Sequence, residues 1–318
     1  YYLPLGATNI MTTGHEYDDA FVVWDWTRVP GTTAVANQST ADLRWYLFGS
    51  NQFGGGVSNA HNGVMAYEHA YQGVEARKAY FFMGDAMVCM GSGIKAARTQ
   101  EVRTSVNQCL ANGEVTYGLS GHTYRLTNNL SDKNIDWAYH DNVGYIFPQN
   151  ESVTLRKAKQ TGAWRELEVT ASDKPVTKEI FSLWVSHGTT PQHEDYCYII
   201  MPDKPLSYFT DKKFENEIKI IVNSEQIQAI SNENKRQYAA VFYEPGEIRF
   251  AEDLVVAVNK KVIIYIEKKD KQYEIAVADP LYKEQSLQLS MNGEQINIVF
   301  PSGDYSGSSV IKHITEKH

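Results

Sequence analysis

Short runs of apolar residues, some alternating with polar residues and some continuous, dominate the chain and predict β-strands. Between Val64 and Ile94 apolar and small residues run nearly unbroken, with glycines as the interruptions. Such a segment is typical of consecutive strands buried between two packed layers. Further strands are predicted at 143–147, 152–155, 180–185 and 196–201. Sustained helical periodicity is scarce, so the pattern predicts an all-β chain.

The pattern changes after Met201, where Pro202-Asp203-Lys204-Pro205 is a stop signal and a polar stretch follows. We therefore expect a domain boundary near residue 213. Beyond it, shorter strands are predicted at 218–222, 254–258, 262–266 and 296–300, and Asn259-Lys260 is predicted to be a hairpin turn between two of them. Roughly 105 residues of short strands suit a small β-sandwich.

Composition and charge narrow the class of protein. The 318 residues are 42% hydrophobic and 21% charged, which is typical of a folded protein of two domains. The 30 basic against 38 acidic residues give a net charge of −8, which excludes the basic field needed for non-specific nucleic-acid binding. Since no run approaches the roughly 18 apolar residues of a membrane span, we expect a soluble protein and no membrane partner.

The cysteines and the first residues of the chain support two further predictions. Cys89, Cys109 and Cys197 are odd in number and fit no zinc spacing, so they are predicted to be plain small hydrophobes. The first residues, Tyr1-Tyr2-Leu3-Pro4, contain no Met and no signal-peptide pattern. We therefore expect this chain to be part of a longer one.

The densest polar cluster runs from Gly14 to Asp19 and is followed by an aromatic stretch, Phe21 to Thr33. Three interpretations stay open. Closely spaced carboxylates could attract Ca²⁺, although a regular calcium-loop spacing is absent and no ligand can be assigned. The cluster could be a solvated loop before an edge strand. It could also face a carbohydrate, with aromatic rings for stacking and polar groups for hydroxyls. Under each interpretation we expect Glu16 to be an exposed loop acid that contributes less than about 1 kcal/mol to stability.

A second cluster, Gly54 to Gly63, has three consecutive glycines that let the backbone approach another surface closely. It lacks the Gly-Lys-Ser/Thr of a phosphate loop. His61 within it is either a surface residue or a functional one, and His187 and His193 are predicted to be solvated. Neither a nucleophile elbow nor any other self-contained catalytic set can be identified from the residues.

These segments, in order, resemble polysaccharide lyase family 8, the chondroitin, hyaluronate and xanthan lyases. The resemblance covers roughly residues 1–201 and extends more weakly into the tail. The segments that carry it are Asn9-Ile10, Gly14-His15-Glu16-Tyr17, Val23-Trp24-Asp25-Trp26-Thr27-Arg28-Val29-Pro30-Gly31-Thr32-Thr33, Gly55-Gly56-Val57-Ser58, Met90-Gly91-Ser92-Gly93-Ile94 and Thr104-Ser105-Val106-Asn107-Gln108.

The resemblance implies a fold and a set of site residues. It implies a large antiparallel β super-sandwich of the galactose mutarotase type at 1–213, followed by a small C-terminal β-sandwich at 214–318. In the family an N-terminal α/α toroid supplies the Tyr acid/base and the His, Arg and Asn of the elimination, and none of these can be placed here. The position matching the Glu that the central domain lends to the cleft is Glu16. Asp19 stands where some members have a sugar-contacting Asn, and Ser58-Asn59-Ala60-His61-Asn62-Gly63 stands where relatives often have Ser-Asp-Gly-x-Tyr-Gly. Tyr17, Asp19, Asn59, His61 and Asn62 are therefore the candidate substrate contacts.

The expected function is part of an exported, secreted or periplasmic, lyase that cleaves uronate-containing glycosaminoglycans by β-elimination. This chain would supply one wall of the cleft and a supporting Glu, would be inactive alone, and would belong to a monomer without a cofactor. Its partners would be an acidic polysaccharide and the toroid. A net charge of −8 fits a polyanionic substrate poorly, so the basic surface would come from the toroid. The alternatives are a non-catalytic carbohydrate-binding module and a structural β-module.

Overall fold

The computed structural model describes residues 2–37, 51–97 and 99–316, and these are nearly all β. Antiparallel strands account for the fold, as the apolar runs predict. The strands that precede residue 203 are β1 (Thr33–Val35), β2 (Gly54–Ser58), β3 (Gly63–Tyr71), β4 (Val74–Met83), β5 (Ala86–Ala96), β6 (Glu101–Leu110), β7 (Val115–Leu119), β8 (His122–Arg125), β9 (Leu130–Lys133), β10 (Trp137–His140), β11 (Val143–Ile146), β12 (Val153–Gly162), β13 (Val176–Thr189) and β14 (Glu194–Pro202).

One short α-helix, α1 (Leu206–Thr210), follows β14 among the described residues, and short 3-10 turns occur at Phe21–Val23, Trp26–Arg28, Trp164–Glu166 and Gly303–Tyr305. The remaining strands are β15 (Lys219–Asn223), β16 (Ile227–Asn232), β17 (Gln237–Phe242), β18 (Gly246–Ala251), β19 (Leu254–Val258), β20 (Val262–Lys269), β21 (Gln272–Ala278), β22 (Ser286–Met291), β23 (Glu294–Val299) and β24 (Val310–Thr315).

The chain divides into two compact units, and neither is continuous in sequence. The first unit consists of Tyr1–Gly49, Ala70–Glu75 and Ile94–Lys213, and the second of Ser50–His69, Ala76–Gly93 and Phe214–His318. The last junction between them falls at Lys213, next to the boundary expected from the sequence. The second unit, however, also takes in residues that lie long before that junction.

The first unit is a β-sandwich. One sheet has the order β1-β6-β13-β12-β9, and the strands β14-β11-β10-β7-β8 are hydrogen-bonded neighbours in another. The rings of Phe181 on β13 and His140 on β10 stack at 4.3 Å, which places the two sheets face to face. On the other face of β13, Ile180 packs with Val22 and Val23 of the N-terminal segment. Because both faces are covered, residues Ile180 to Val185 form one continuous buried run.

The second unit contains another sandwich, formed by the sheets β15-β16-β17-β20-β21-β24 and β18-β19-β22-β23. Its core is a single cluster of buried aliphatic and aromatic side chains from both sheets, among them Val256, Ile264 and Leu289. The predicted hairpin at Asn259-Lys260 is wrong, because β19 pairs with β18 and β22 whereas β20 pairs with β17 and β21. The segment is a corner between two sheets, where Asn259 exchanges backbone and side-chain hydrogen bonds with Gln288.

Candidate functional site

The first candidate site is the loop from Ile10 to Asp19 in the first unit, which precedes edge strand β1. Its backbone turns back on itself, with the amide of Ala20 donating to the carbonyl of Tyr17 at 3.0 Å. At the end of β6 the amide of Leu110 donates to the carbonyl of Glu16 at 2.9 Å. The main chain at Glu16 is therefore fastened to the sheet.

The carboxylate of Glu16 faces its own loop. Its Oε1 accepts from the backbone amides of Thr12 at 2.8 Å and Thr13 at 2.6 Å, and from both threonine hydroxyls at 2.9 Å. Its Oε2 accepts from the amide of Gly14 at 3.0 Å. With these partners replacing water, Glu16 is only 4% exposed, so the expectation of an exposed loop acid is wrong. The Thr13-x-x-Glu16 spacing is a capping-box pattern, and it is the sequence signal that could have predicted this return hydrogen bond.

The hydrogen bonds determine the ionisation of Glu16. Burial alone would raise its pKa, but hydrogen bonds from the backbone of Thr13 and from the backbone and hydroxyl of Thr12 outweigh burial and lower the pKa to about 2. Glu16 is therefore ionised at every pH near neutrality. A general acid needs a proton to give and an effective general base needs a pKa near the working pH, so Glu16 suits neither task. It is a fixed anion, suited to orienting a cation.

Tyr17 directs its hydroxyl inward. The oxygen accepts from the amide of Ile10 at 3.1 Å and donates to Asn107 Oδ1 at 3.3 Å. Its ring meets Trp24 edge-on at 5.9 Å between centroids. Burial raises the pKa of Tyr17 well above its usual value, so the hydroxyl keeps its proton. Its one hydrogen-bond donor is therefore used inside the fold.

Asp19 and His15 lie on the outside of the loop. Asp19 is exposed, has a φ of 54°, and places its carboxylate 3.6 Å from Lys178 Nζ. His15 Nδ1 lies 2.8 Å from Asp18 Oδ2, and both side chains are largely exposed. Exposed pairs of this kind contribute little to stability. Of the three candidate residues in this loop, Glu16 is buried, Tyr17 is partly buried and Asp19 is open to solvent.

The aromatic stretch after the loop forms a compact group. Phe21 and Trp24 meet edge-on at 4.7 Å, and Trp24 and Trp26 at 5.6 Å between ring centroids. Trp26 is further held by its Nε1, which donates to the carbonyl of Phe21 at 3.2 Å. Trp24 is buried, whereas Phe21 is partly exposed beside the loop.

Asp25 and Arg28, between these aromatics, stabilise the local fold. Arg28 binds Asp25 Oδ2 through Nε and Nη2 at 2.6 Å each, and Asp25 Oδ1 accepts from the amide and the hydroxyl of Thr27. Burial alone would raise the pKa of Asp25, but Arg28 and the hydrogen bonds outweigh burial and lower it. The Arg28 guanidinium also lies 4.5 Å from the ring centroid of Trp184. The charges of Asp25 and Arg28 thus interact with partners inside the fold.

The second candidate group, Asn59, His61 and Asn62, belongs to the second unit. Asn59 Oδ1 accepts from the amides of His61 and Asn62, and its Nδ2 donates to Glu274 Oε1 at 2.8 Å. Asn62 Oδ1 accepts from the amide of Gly84 at 2.8 Å. The two amide side chains are buried and organise the turn between β2 and β3, whereas His61 is exposed.

Among the glycines before this turn, Gly55 lies where close packing leaves little room for a side chain. A Cβ at Gly55 would lie 3.2 Å from Pro280 Cα, tighter than ordinary contact. The close approach that the triple glycine predicts is present at this position.

The remaining histidines and the cysteines discussed in the sequence analysis differ in burial. His187 is buried, with Nε2 2.8 Å from Thr104 Oγ1, so the prediction that it is solvated is wrong. The register of β13 against β6 brings this His to an interior hydroxyl, which the loop-like sequence around it concealed. His193 is exposed as expected. The three cysteines are buried and form no disulfide, in agreement with the expectation that they are small core residues.

Across residues 2–37, 51–97 and 99–316, no group of three or more His, Cys, Asp or Glu side chains is placed to hold a metal ion. The same residues include no helix with the length and apolar character needed to cross a bilayer.

A cleft of about 720 Å³ opens in the second unit, between strands of its sandwich. Its charged lining is acidic, consisting of Glu252, Asp253, Glu294 and Glu316. A polyanion would be repelled by these carboxylates, so this cleft does not suit an acidic polysaccharide.

Comparison with protein families matches two segments of the chain. Residues 1–213 match the super-sandwich domain of polysaccharide lyase family 8, and residues 219–288 match the C-terminal β-sandwich domain of the same family.

Similar proteins include three named lyases. Chondroitinase-AC of Pedobacter heparinus is 32% identical over 97% of this chain and 45% of its own length. Hyaluronate lyase of Thermasporomyces composti is 23% identical over 90% of this chain and 37% of its own length. Xanthan lyase of a Bacillus species is 24% identical over 88% of this chain and 31% of its own length. The chain thus spans less than half the length of each of these relatives.

Two solved structures share the fold of this chain. A chondroitinase AC lyase, determined in complexes with oligosaccharides, has a TM-score of 0.90 at 29% identity and covers 97% of this chain and 47% of its own. Paenibacillus xanthan lyase has a TM-score of 0.85 at 19% identity over 97% of this chain and 33% of its own, a likeness that shows the fold alone.

Proposed function

Because this chain belongs to polysaccharide lyase family 8, we propose that it forms the central and C-terminal β-domains, 1–213 and 214–318, of a glycosaminoglycan lyase. The substrate class is a uronate-containing polymer of the chondroitin sulfate or hyaluronan type, cleaved by β-elimination. The observation that carries this proposal is the similarity to chondroitinase-AC over 97% of the chain, combined with an ionised Glu16 at the position matching the family's supporting Glu.

β-Elimination removes the weakly acidic proton at C5 of the uronate. The enzyme must neutralise the adjacent carboxylate and hold a base and an acid in register with the reacting atoms. Glu16 cannot be that base or acid, because its hydrogen bonds keep it ionised to about pH 2. We assign it the task of orienting a cationic Arg or His of the toroid, which in turn meets the substrate carboxylate.

We infer from the hydrogen bonds of Glu16 which of its oxygens serves this purpose. Oε1 already accepts from four donors of Thr12 and Thr13, whereas Oε2 accepts from the amide of Gly14. An oxygen with remaining lone-pair capacity can accept a charge-assisted hydrogen bond from an external guanidinium or imidazolium. Oε2 is therefore the atom that faces the toroid in this proposal.

The remaining proposed contacts follow from exposure. Asp19 and His61 are exposed and can meet sugar hydroxyls, Asp19 beside its ion pair with Lys178, whereas Asn59 and Asn62 shape the turn that carries His61. Tyr17 contributes through its ring and its interior hydroxyl rather than as a hydroxyl donor to substrate. The chain alone is inactive in this proposal, since its acid/base residues belong to the toroid, and the whole enzyme is an exported monomer.

The test is an assay of the full-length protein that contains this chain, on chondroitin sulfates, hyaluronan and xanthan. We expect unsaturated-uronate absorbance with one of the glycosaminoglycans, none with this chain alone, and a fall in kcat of about 10²-fold or more for Glu16→Gln. Asp18→Asn, on the exposed side of the same loop, is the matched control. Binding without product from the wild-type protein would instead favour a carbohydrate-binding module, and wild-type kcat in Glu16→Gln would remove the role of Glu16.

A further inference from the structure

The motif Thr104-Ser105-Val106-Asn107-Gln108 carries part of the family resemblance but has no part in the proposed chemistry. It lies on β6, where successive side chains point to opposite faces of the sheet. Two of its residues reach in opposite directions and hold successive parts of the N-terminal segment. Gln108 Nε2 donates to the carbonyls of Asp25 and Arg28 at 3.1 and 2.9 Å. Asn107 is directed the other way, to Tyr17.

We propose that Tyr17 and Asn107 are a positioning pair that fixes the Glu16 loop from inside the sandwich and so sets the orientation of its carboxylate. This inference rests on the proposed role of Glu16. It assigns a function to Asn107 that the sequence does not indicate, and it gives the Tyr17 hydroxyl a positioning role that is separate from the contact proposed for the Tyr17 ring.

The pair is firmly anchored on the interior side. Asn107 is 3% exposed, and its Nδ2 donates to the hydroxyl of Tyr145 at 2.5 Å. Tyr145 is fully buried. Asn107 Oδ1 accepts from the amide of Gln108 at 2.7 Å as well as from Tyr17. A buried amide with all these partners has one favoured orientation, because leaving any of them unpaired would cost free energy.

On the outer side, the pair fixes the loop at the start of the threonine segment. Ile10 donates its amide to the Tyr17 hydroxyl at 3.1 Å, and Leu110 donates its amide to the carbonyl of Glu16 at 2.9 Å. Thr12 and Thr13, which bind Glu16 Oε1, lie between these two attachments along the chain. Losing the Tyr17 attachment frees one end of the segment that donates to Glu16.

The decisive measurement is the titration of Glu16 in this chain, followed by carboxyl ¹³C chemical shifts, together with hydrogen exchange of the Thr12, Thr13 and Gly14 amides. Tyr17→Phe removes the hydroxyl and keeps the ring. We expect its Glu16 midpoint to rise from about 2 by at least roughly one unit, and the three amides to exchange about tenfold or more faster. Asn107→Leu should do the same if it folds, and Tyr17→Phe suffices if it does not.

The matched control is Tyr139→Phe, which also removes a tyrosine hydroxyl that donates to an asparagine Oδ1, at 3.2 Å to Asn142. It should leave the Glu16 titration and the loop amides unchanged. An unchanged Glu16 midpoint in folded Tyr17→Phe would overturn the inference. A shift of equal size in Tyr139→Phe would do so as well, because it would show a general loss of stability.

The full-length protein separates this inference from the proposed function. Tyr17→Phe should lower kcat about tenfold or more with KM within roughly twofold, since orientation of a supporting charge affects the transition state more than binding. If Glu16→Gln has wild-type kcat, the proposed role of Glu16 fails, while the titration in this chain still decides whether Tyr17 and Asn107 position it.

Discussion

The side-chain amide of Asn59 lies 2.8 Å from Glu274 Oε1, a hydrogen bond between residues 215 positions apart in the sequence. Glu274 stands directly across from Glu267 on the neighbouring strand, and Asn59 Nδ2 also approaches that carboxylate at 3.3 Å. Lys269 lies within 3.5 Å of both acids. The turn after β2 thus relieves the repulsion of two like charges on β20 and β21, and the contact joins residues 50–69 to the C-terminal segment within the second compact unit.

A first prediction concerns cleavage at the junction between 213 and 214. Trypsin should cut within about ten residues of position 213, where Lys212 and Lys213 are exposed. The fragments should nevertheless elute together in gel filtration without denaturant, because the second unit contains 50–69 and 76–93 as well as 214–318. Separate elution of the two fragments would show that 214–318 is an independent domain.

A second prediction concerns the stability that Glu16 provides. Its folded pKa of about 2 lies below the ordinary 4.5, so its contribution is complete above about pH 4.5 and is lost as pH falls through 2. Glu16→Gln keeps the shape of the side chain but replaces one accepting carboxylate oxygen with an amide NH2 group. The free energy of unfolding of this variant should therefore be lower than that of the wild type by about 1–2 kcal/mol at pH 7. Urea unfolding should show that this difference shrinks between pH 4.5 and pH 2.5. A difference independent of pH would contradict the assignment.

A third prediction concerns Glu151, which is buried with its Oε2 unpaired among the described residues. Oε1 accepts from the amide of Cys197 at 2.9 Å. Burial raises the pKa of Glu151 to about 8, and Asp195 adds to the effect. The folded state favours the protonated form of Glu151. The stability associated with that form is therefore fully present below about pH 4.5 and is lost as pH rises through 8.

Glu151→Gln should therefore gain stability relative to the wild type between pH 5 and pH 8.5, by an amount on the order of a few kcal/mol. Paired chemical denaturation at the two pH values measures this change. Glu114→Gln, at an exposed site, is the control for losing one carboxylate. An equal stability difference at both pH values would show that Glu151 is ionised in the fold.

A fourth prediction concerns Lys78, which is fully buried and whose Nζ lies 6.0 and 5.9 Å from the ring centroids of Tyr67 and Tyr80. Burial lowers its pKa from 10.5 to about 7, although Cys89 opposes the shift. The stability associated with its neutral form is complete above pH 10.5 and falls as pH falls through 7. The gain in free energy of unfolding of Lys78→Met over the wild type should therefore be larger at pH 6 than at pH 9.5, by on the order of a few kcal/mol. Thermal or urea unfolding at both pH values tests this, with exposed Lys95→Met as the control.

The positions of strands were predictable because local pattern determines them. The unbroken apolar segment from 64 to 94 becomes β3, β4 and β5, and the run 180–185 lies in β13 with both faces covered. The cysteines were equally predictable, since an odd, irregularly spaced set of thiols in an apolar setting has little use but packing. Such properties depend on a residue and its near neighbours, which the sequence displays directly.

Pairing partners and ionisation states required the tertiary structure. Asn259-Lys260 has the sequence of a hairpin, but its flanking strands bury their faces in different sheets. The family resemblance made Glu16 a candidate site residue, whereas its burial and its low pKa depend on where the Thr12 and Thr13 donors point. Asn107 acquires a role only because β6 brings it to Tyr17, 90 residues away along the chain. Strand patterns are local, whereas hydrogen bonds and burial depend on distances that only the folded chain sets.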